Sequence, residues 1–294
     1  DMEHYKQLCK EFSDDYEGTW AKYARKHITW FSDFKKTLDE SNKPFYKWFT
    51  GGKLNVSYQC IDRHLQDKKD KTAILFESDN GEIEHISYEK LHKETNKFAN
   101  LLVDDLNIKK GDRVLLYMPM IPQSAYAMMA CARIGAIVSV VFGGFSSEAI
   151  KDRLIDTQAK IIITADGAHR KGHYYMLKPA VDKALKDGIA TLDNVLVVKR
   201  NHQKIEWFEN RDIDYNALIE SKSEQFEAIE VESEDPLFLL YTSGSTGKPK
   251  GVQHSSAGYI LWAQMTMQWT FDLQEDDVFW CTADIGWITG HTYI

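Results

Sequence analysis

Leu237-Phe238-Leu239-Leu240-Tyr241-Thr242-Ser243-Gly244-Ser245-Thr246-Gly247-Lys248-Pro249-Lys250-Gly251 joins a short apolar run of strand length to a loop of small, hydroxylated and basic residues. Such a loop suits a phosphate. Glycines let backbone N–H groups approach the oxygens, serine and threonine add donors, and lysine adds positive charge. Apolar residues return at Val252, and Ser255 can cap a helix running through Met267. The spacing is not that of the P-loop NTPases, which place four residues between the glycine and the Gly-Lys pair and then Ser or Thr. Here only Ser245 and Thr246 separate Gly244 from Gly247-Lys248, and Pro249 follows. A lone Gly/Ser/Thr loop reads best as a surface turn, but three glycines, four hydroxyls and two lysines directly after a buried strand favour an anion site.

Upstream, short apolar runs alternate with helical patterns. Ala73–Phe76 and His85–Ser87 flank the turn Asp79-Asn80-Gly81 as a hairpin. Ser87 caps a helix on which Leu91, Thr95, Phe98 and Leu102 share one face. Strands are expected at 114–118, 136–141, 161–164 and 195–198. Helices are expected from Ser124 to Ile134, from Ser146 or Ser147 towards Thr157, and around Ala180–Lys186. Strand–helix alternation of this kind predicts an α/β fold, with mainly parallel sheets flanked by helices. Strand 237–241 would then deliver its loop to the C-terminal edge of the sheet, where ligands gather. The aromatic-rich residues 1–50 predict helices packed on that body, and 199–235, polar and acidic, predict a surface segment without a functional role.

The bulk numbers exclude other classes. With 43% hydrophobic residues the chain can bury a sizeable core, and a net charge of −8 argues against tracking nucleic acid or an anionic membrane. Cys9, Cys60, Cys131 and Cys281 are scattered, with no Cys-x-x-Cys pair, so a zinc site is not expected and a reducing, cytoplasmic compartment is. The apolar stretch 114–145 is broken by Pro119, Pro122, Gln123, Arg133 and Gly135 and does not read as a membrane span.

Tyr241–Gly251 resembles the phosphate-binding signature of the adenylate-forming superfamily of acyl-CoA synthetases, adenylation domains and luciferases. Phe45–Asn55, Cys60–Leu65, Tyr117–Pro122, Val140–Ser146 and Cys281–His291 are similar to segments of AMP-forming acetyl-CoA synthetases. The resemblance covers nearly the whole chain and weakens in the first forty residues and the acidic stretch. It implies residues 1–70 as an N-terminal helical extension and 71–294 as the first part of a large AMP-binding domain. Ending at Tyr293-Ile294 without a turn or polar tail, the chain reads as an N-terminal fragment lacking the C-terminal domain, and inactive alone.

The chemistry implied is ATP-dependent activation of acetate to acetyl-adenylate, followed by thioester formation with CoA, with Mg²⁺ bridging phosphate oxygens. Thr242, Ser243, Gly244, Ser245, Thr246, Gly247 and Lys248 would hold the ATP phosphates, Thr246 and Lys248 being the catalytic candidates. Arg170, Lys171, Gly172 and His173, with Thr289 and Phe142-Gly143-Gly144, would bind CoA. The family pattern carries a second Arg where this chain has His173, a residue largely neutral at pH 7 and without a guanidinium fork. Trp287, Ile288 and Thr289 would line the acyl pocket; by pattern alone Trp287 and Ile288 read as core. A propionate or other short-chain synthetase is the alternative within this chemistry. An adenylation domain without CoA chemistry ranks below it, and a non-catalytic nucleotide- or CoA-binding module is the alternative of another class.

Overall fold

Two helices, α1 (Met2–Asp14) and α2 (Tyr16–His27), lead the chain, and the Asp15 carboxylate caps the second by accepting from Gly18 N–H at 2.9 Å. The computed structural model describes residues 2–242 and 247–294, so Ser243, Gly244, Ser245 and Thr246 lie outside the described residues. Strands β1 (Lys36–Asp39) and β2 (Lys47–Thr50) pair antiparallel, and β3 (Lys53–Leu54), α3 (Val56–Cys60) and α4 (Leu65–Lys68) follow. Most of the early aromatics pack as expected, while Phe45 and Tyr46 are exposed. Phe12 lies 4.8 Å from Trp20 between ring centres, and Tyr23 meets Trp269 edge-on at 5.4 Å, binding the N-terminal helices to a helix late in the sequence.

The hairpin around Asp79-Asn80-Gly81 forms from β4 (Thr72–Glu77) and β5 (Ile83–Ser87). The Ser87 hydroxyl then accepts from Lys90 N–H at 3.1 Å and starts α5 (Tyr88–Asp104), whose Leu91, Thr95, Phe98 and Leu102 are all buried. Next come β6 (Arg113–Tyr117), α6 (Pro122–Ile134), β7 (Ile137–Val140), α7 (Ser147–Thr157) and β8 (Ile161–Ala165). A small antiparallel hairpin of β9 (Gly167–Arg170) and β10 (His173–Met176) leads into α8 (Lys178–Ala184) and β11 (Asn194–Val198).

The remaining elements are β12 (Asp212–Asp214), α9 (Tyr215–Ile219), β13 (Val231–Glu232), β14 (Pro236–Thr242), β15 (Lys250–Ser255), α10 (Ser256–Trp269) and α11 (Ile288–Tyr293). A seven-stranded sheet runs β12-β11-β8-β6-β7-β14-β15, every neighbouring pair parallel except β14–β15. Its central strands are buried on both faces, which is why they read as near-continuous Val, Ile and Leu runs. The chain goes from β6 to β7 on one side, then returns through α7 to β8 on the other and continues outward to β11. Order therefore reverses between β6 and β8, and the crevice beyond their C-terminal ends is the expected ligand position.

Three stretches differ from their sequence reading. Within residues 1–50, read as helices, only the first part is helical, and β1 and β2 pair as a hairpin over 36–50, followed by β3. Residues 199–235 supply an edge strand, β12, although they read as surface. That strand has one apolar residue, Ile213, and is anchored by an ion pair: Lys178 Nζ lies 2.7 Å from Asp212 Oδ2 with both side chains fully buried, and Arg211 Nε meets Asp212 Oδ1 at 2.7 Å. The glycine-rich loop joins two antiparallel strands, because Lys250–Ser255 pairs back onto β14 before α10 begins. No helix N-terminus therefore follows the loop directly. Among the described residues no helix is long and apolar enough to cross a membrane.

Candidate active site

Because β7, β8 and β14 run parallel within one sheet, their C-terminal ends lie on one edge, and the segments leaving them converge there. Tyr117, at the end of β6, holds the first of these in place. Its hydroxyl is shared between the carbonyls of Gly143 at 3.0 Å and Phe145 at 3.2 Å, pinning residues 142–145 over the strand end. Burial pushes that phenol up to about 12, so it stays a donor at any physiological pH.

The second segment is the β9–β10 hairpin, which leaves β8 at the reversal point. The fully buried Asp166 roots it: its carboxylate accepts from the N–H groups of Gly167 and Arg200 at 2.9 Å and of Gln203 at 3.1 Å. Lys171 and Gly172 form a two-residue turn, with φ of 54° and 73°, the geometry that suits the twist of a tight hairpin. Arg170 and His173 are consequently direct cross-strand partners on one face, both exposed. Lys171 points to solvent at the tip, and Gly172 N–H donates to Asp79 at 2.7 Å.

A further segment, 284–289, which follows α10 and leaves none of these strands, packs onto the first. Gly286 lies so close to the chain after β7 that an added Cβ would sit 2.7 Å from the backbone nitrogen of Phe142. This contact sets Trp287 against both Phe142 and Phe145, each with ring centres 6.0 Å away. Arg170 in turn places its guanidinium 5.8 Å from the centre of the Phe142 ring. Burial raises the Asp284 carboxyl above its ordinary range, against the pull of the Gly286 N–H at 2.7 Å and of the Arg170 charge. Thus Arg170 and His173, Phe142, and Trp287 are brought together, with Ile288 and Thr289 following Trp287 at the start of α11. Trp287 and Ile288 are each 46% exposed, so the core reading of that pair does not hold; they form an open wall.

Of the loop candidates, Thr242 ends β14, and Gly247 and Lys248 lie at the approach to β15, all three exposed. Lys248 and Pro249 line a cleft of about 200 Å³ with Asp152, Arg153, Ile155 and Asp156 of α7 and Tyr241 of β14. The Tyr241 hydroxyl donates to Asp156 at 2.5 Å, and burial, reinforced by that carboxylate, raises its pKa. Tyr241 opens the signature read from the sequence, but sequence reasoning missed Arg153 and Asp156 as its neighbours. Acids and an arginine on an amphipathic helix read as a solvated face, and nothing in the sequence shows which strand they touch. Among the described residues no group of three His, Cys, Asp or Glu side chains could hold a metal ion.

A family model described as acetyl-coenzyme A synthetase N-terminus matches residues 5–60. The chain is 59% identical over all 294 residues to the acetyl-coenzyme A synthetase of Helicobacter pylori (strain P12), covering 44% of that relative. It is 58% identical over 290 residues to the synthetase of Campylobacter jejuni subsp. jejuni, with 99% of this chain and 44% of the relative covered. The one from Wolinella succinogenes is 58% identical over 291 residues, again with 44% of the relative covered. The chain therefore spans less than half the length of the curated relatives it matches. A further family model, for AMP-binding enzymes, matches residues 61–294, well over half of the chain, and the chain belongs to that family.

Proposed function

We propose that the whole protein to which this chain belongs joins acetate to CoA at the expense of ATP, by way of acetyl-adenylate. The observation that carries this reading is the meeting of the loop-bearing β14–β15 hairpin, the β9–β10 hairpin and the Phe142–Phe145–Trp287 wall on one sheet edge. The names of the relatives support acetate as the acid and ATP and CoA as the other substrates. In the first half-reaction a carboxylate oxygen of acetate attacks the α-phosphorus of ATP and pyrophosphate leaves. In the second, the CoA sulfur, having lost its proton, attacks the acyl carbon and AMP leaves.

This chain's task in both is positioning and charge stabilisation. Thr242, Ser243, Ser245, Thr246 and Lys248 would donate to the departing pyrophosphate, with Gly244 and Gly247 allowing close approach of the backbone. Without a helix N-terminus behind the loop, those donors and Lys248 carry the charge. Trp287, Ile288 and Thr289 would border the acyl group and the path of the thiol. Arg170, with Lys171, Gly172 and His173, would grip the 3′-phosphate end of CoA. Mg²⁺ accompanying the nucleotide would meet no ready-made cluster of three His, Cys, Asp or Glu side chains among the described residues. Residues 1–70 would serve as the extension and 71–294 as the first part of the AMP-binding domain. The four free cysteines and the acidic balance support a cytoplasmic setting without nucleic-acid or membrane partners.

The test is acetate-dependent ATP–pyrophosphate exchange in the full-length protein. Thr246→Ala and Lys248→Ala should each lower exchange by about tenfold or more, since each removes a donor aimed at developing charge. Undiminished exchange in both would overturn the assigned roles.

A further inference from the structure

Arg153 is a buried cation that the chemistry above does not use. It is only 7% exposed, and its Nη1 donates to Ala149 O of its own helix at 3.0 Å. Among the described residues it forms no ion pair with a carboxylate; instead its guanidinium lies between two rings, 5.0 Å from the centre of Phe145 and 5.1 Å from that of Tyr241. The side chain borders the cleft that Lys248 and Pro249 line, and its one protein hydrogen bond is to its own helix, so the two ring faces are its main contacts with other elements. A leucine or methionine would fill the same space on α7 without the charge. The position of the rings suggests what the charge accomplishes. Tyr241 stands one residue before the end of β14, its hydroxyl fixed by Asp156 three residues along α7, and Lys248 and Pro249 line the same cleft. Phe145 belongs to the wall that carries Trp287, Phe142 and, beyond it, Arg170.

We propose that Arg153 is a positioning residue that ties the two candidate substrate regions together, setting the Tyr241 end of β14 at a fixed distance from the Phe145–Trp287 wall. The proposal rests on the reading of those regions as the nucleotide and CoA sides of one site. Arg153 acts through the Phe145 and Tyr241 rings. It would register the end of β14 against the loop after β7, so that the phosphate donors on one side and the acyl wall on the other stay at a fixed separation across the junction of acetate oxygen and α-phosphorus. Loss of the guanidinium should therefore loosen both sides at once, whereas a change at Arg170 should be felt on the CoA side alone.

The experiment uses the full-length protein with Arg153→Met, Tyr241→Leu, the double variant, and Lys248→Ala, each first checked for a cooperative thermal unfolding transition. KM for ATP is read from pyrophosphate exchange and KM for CoA from thioester formation. A desolvated cation–ring contact predicts that Arg153→Met raises both constants roughly three- to thirtyfold. Tyr241→Leu should raise them similarly, and the double variant should be no worse than the more damaged single variant, because the two residues act as one clamp. Where Arg153→Met fails to fold, Tyr241→Leu and Phe145→Leu, which remove the rings and leave the arginine, decide the matter by the same readout. Unchanged constants in folded Arg153→Met, a rise in only one of them, or fully multiplicative effects in the double variant would overturn the proposal. If Arg153→Met raises both constants while Lys248→Ala changes neither, the clamp stands and the phosphate role of Lys248 falls. If Lys248→Ala raises KM for ATP and Arg153→Met does not, the nucleotide reading stands and the clamp falls.

Discussion

Arg133 and Asp62 meet end-on as a two-toothed ion pair, Nη1 to Oδ1 at 2.6 Å and Nη2 to Oδ2 at 2.8 Å, with the arginine side chain only 2% exposed. Arg133 rises from α6, Asp62 follows α3, and the remaining guanidinium nitrogen, Nε, donates to Phe226 O at 2.8 Å. One buried charge thus joins the N-terminal region, a helix of the central layer and the acidic stretch.

Removing half of that pair leaves the other half buried and uncompensated, so Asp62→Ala should cost about 3–5 kcal/mol in urea unfolding. Replacing both partners, Asp62→Leu with Arg133→Met, should cost less than the two single changes summed. Burial alone would raise the Asp62 carboxyl, but hydrogen bonds from Arg133 and His92 hold it at about 2 against an ordinary 3.8. A depressed carboxylate stabilises above its unfolded value and loses that contribution as pH falls. This one should therefore disappear between about pH 4 and pH 2, a loss of about 2 kcal/mol absent from the double variant.

His291 makes a different pH prediction. It stacks on Phe238 at 3.9 Å between ring centres, opposite His254 at 4.4 Å, and it is 8% exposed with Nε2 unpartnered. Burial and the neighbouring His254 lower it from 6.5 to about 3, so it folds neutral. The unfolded chain binds the proton first, and stability should fall by roughly 1.4 kcal/mol per pH unit as pH drops below 6.5 towards 3. Urea midpoints between pH 7 and pH 4.5 in His291→Gln should show a shallower decline than in the unaltered protein; an equal slope would assign the acid loss elsewhere.

Much of this architecture is legible in the residues. Val114–Met118 and Ile161–Thr164 are buried on both faces, so their apolar runs speak for themselves, and the Ser87 and Ser146 caps mark where helices begin. Strand β12 escapes such reading because a buried Lys178–Asp212 pair, and not an apolar face, holds it in the sheet. Strand β15 escapes it because its residues are largely exposed and it is fixed by hydrogen bonds to β14. At the site, Arg170 and His173 are recognisable from resemblance. That they face each other follows only from the turn at Lys171-Gly172, and Arg153 gains its meaning only when α7 is laid beside β14.

Gly286→Ala tests the packing of the acyl wall. The new methyl would meet the Phe142 backbone nitrogen at 2.7 Å and Cα at 2.8 Å, atoms that cannot step aside as a side-chain tip can. Trp287 should be displaced from Phe142 and Phe145, raising KM for acetate and CoA by about tenfold for about 1.4 kcal/mol of lost positioning. Unchanged constants would show that the wall does not border the substrates.

Arg170→Ala should raise KM for CoA about tenfold or more, since a charge-assisted arginine–phosphate bond contributes about 1.5–3 kcal/mol, while pyrophosphate exchange stays nearly unchanged. His173 stands directly across the hairpin from Arg170, so His173→Arg should add a second guanidinium on the same face and lower KM for CoA. Equal damage to exchange and to CoA use in Arg170→Ala would make that residue structural.

The most direct measurement is ATP–pyrophosphate exchange by the full-length protein, run with acetate, with propionate and without acid. The account predicts exchange that depends on added acid, is fastest with acetate, and falls sharply in Lys248→Ala. Exchange that ignores acetate, or no exchange from a folded full-length protein, would contradict it.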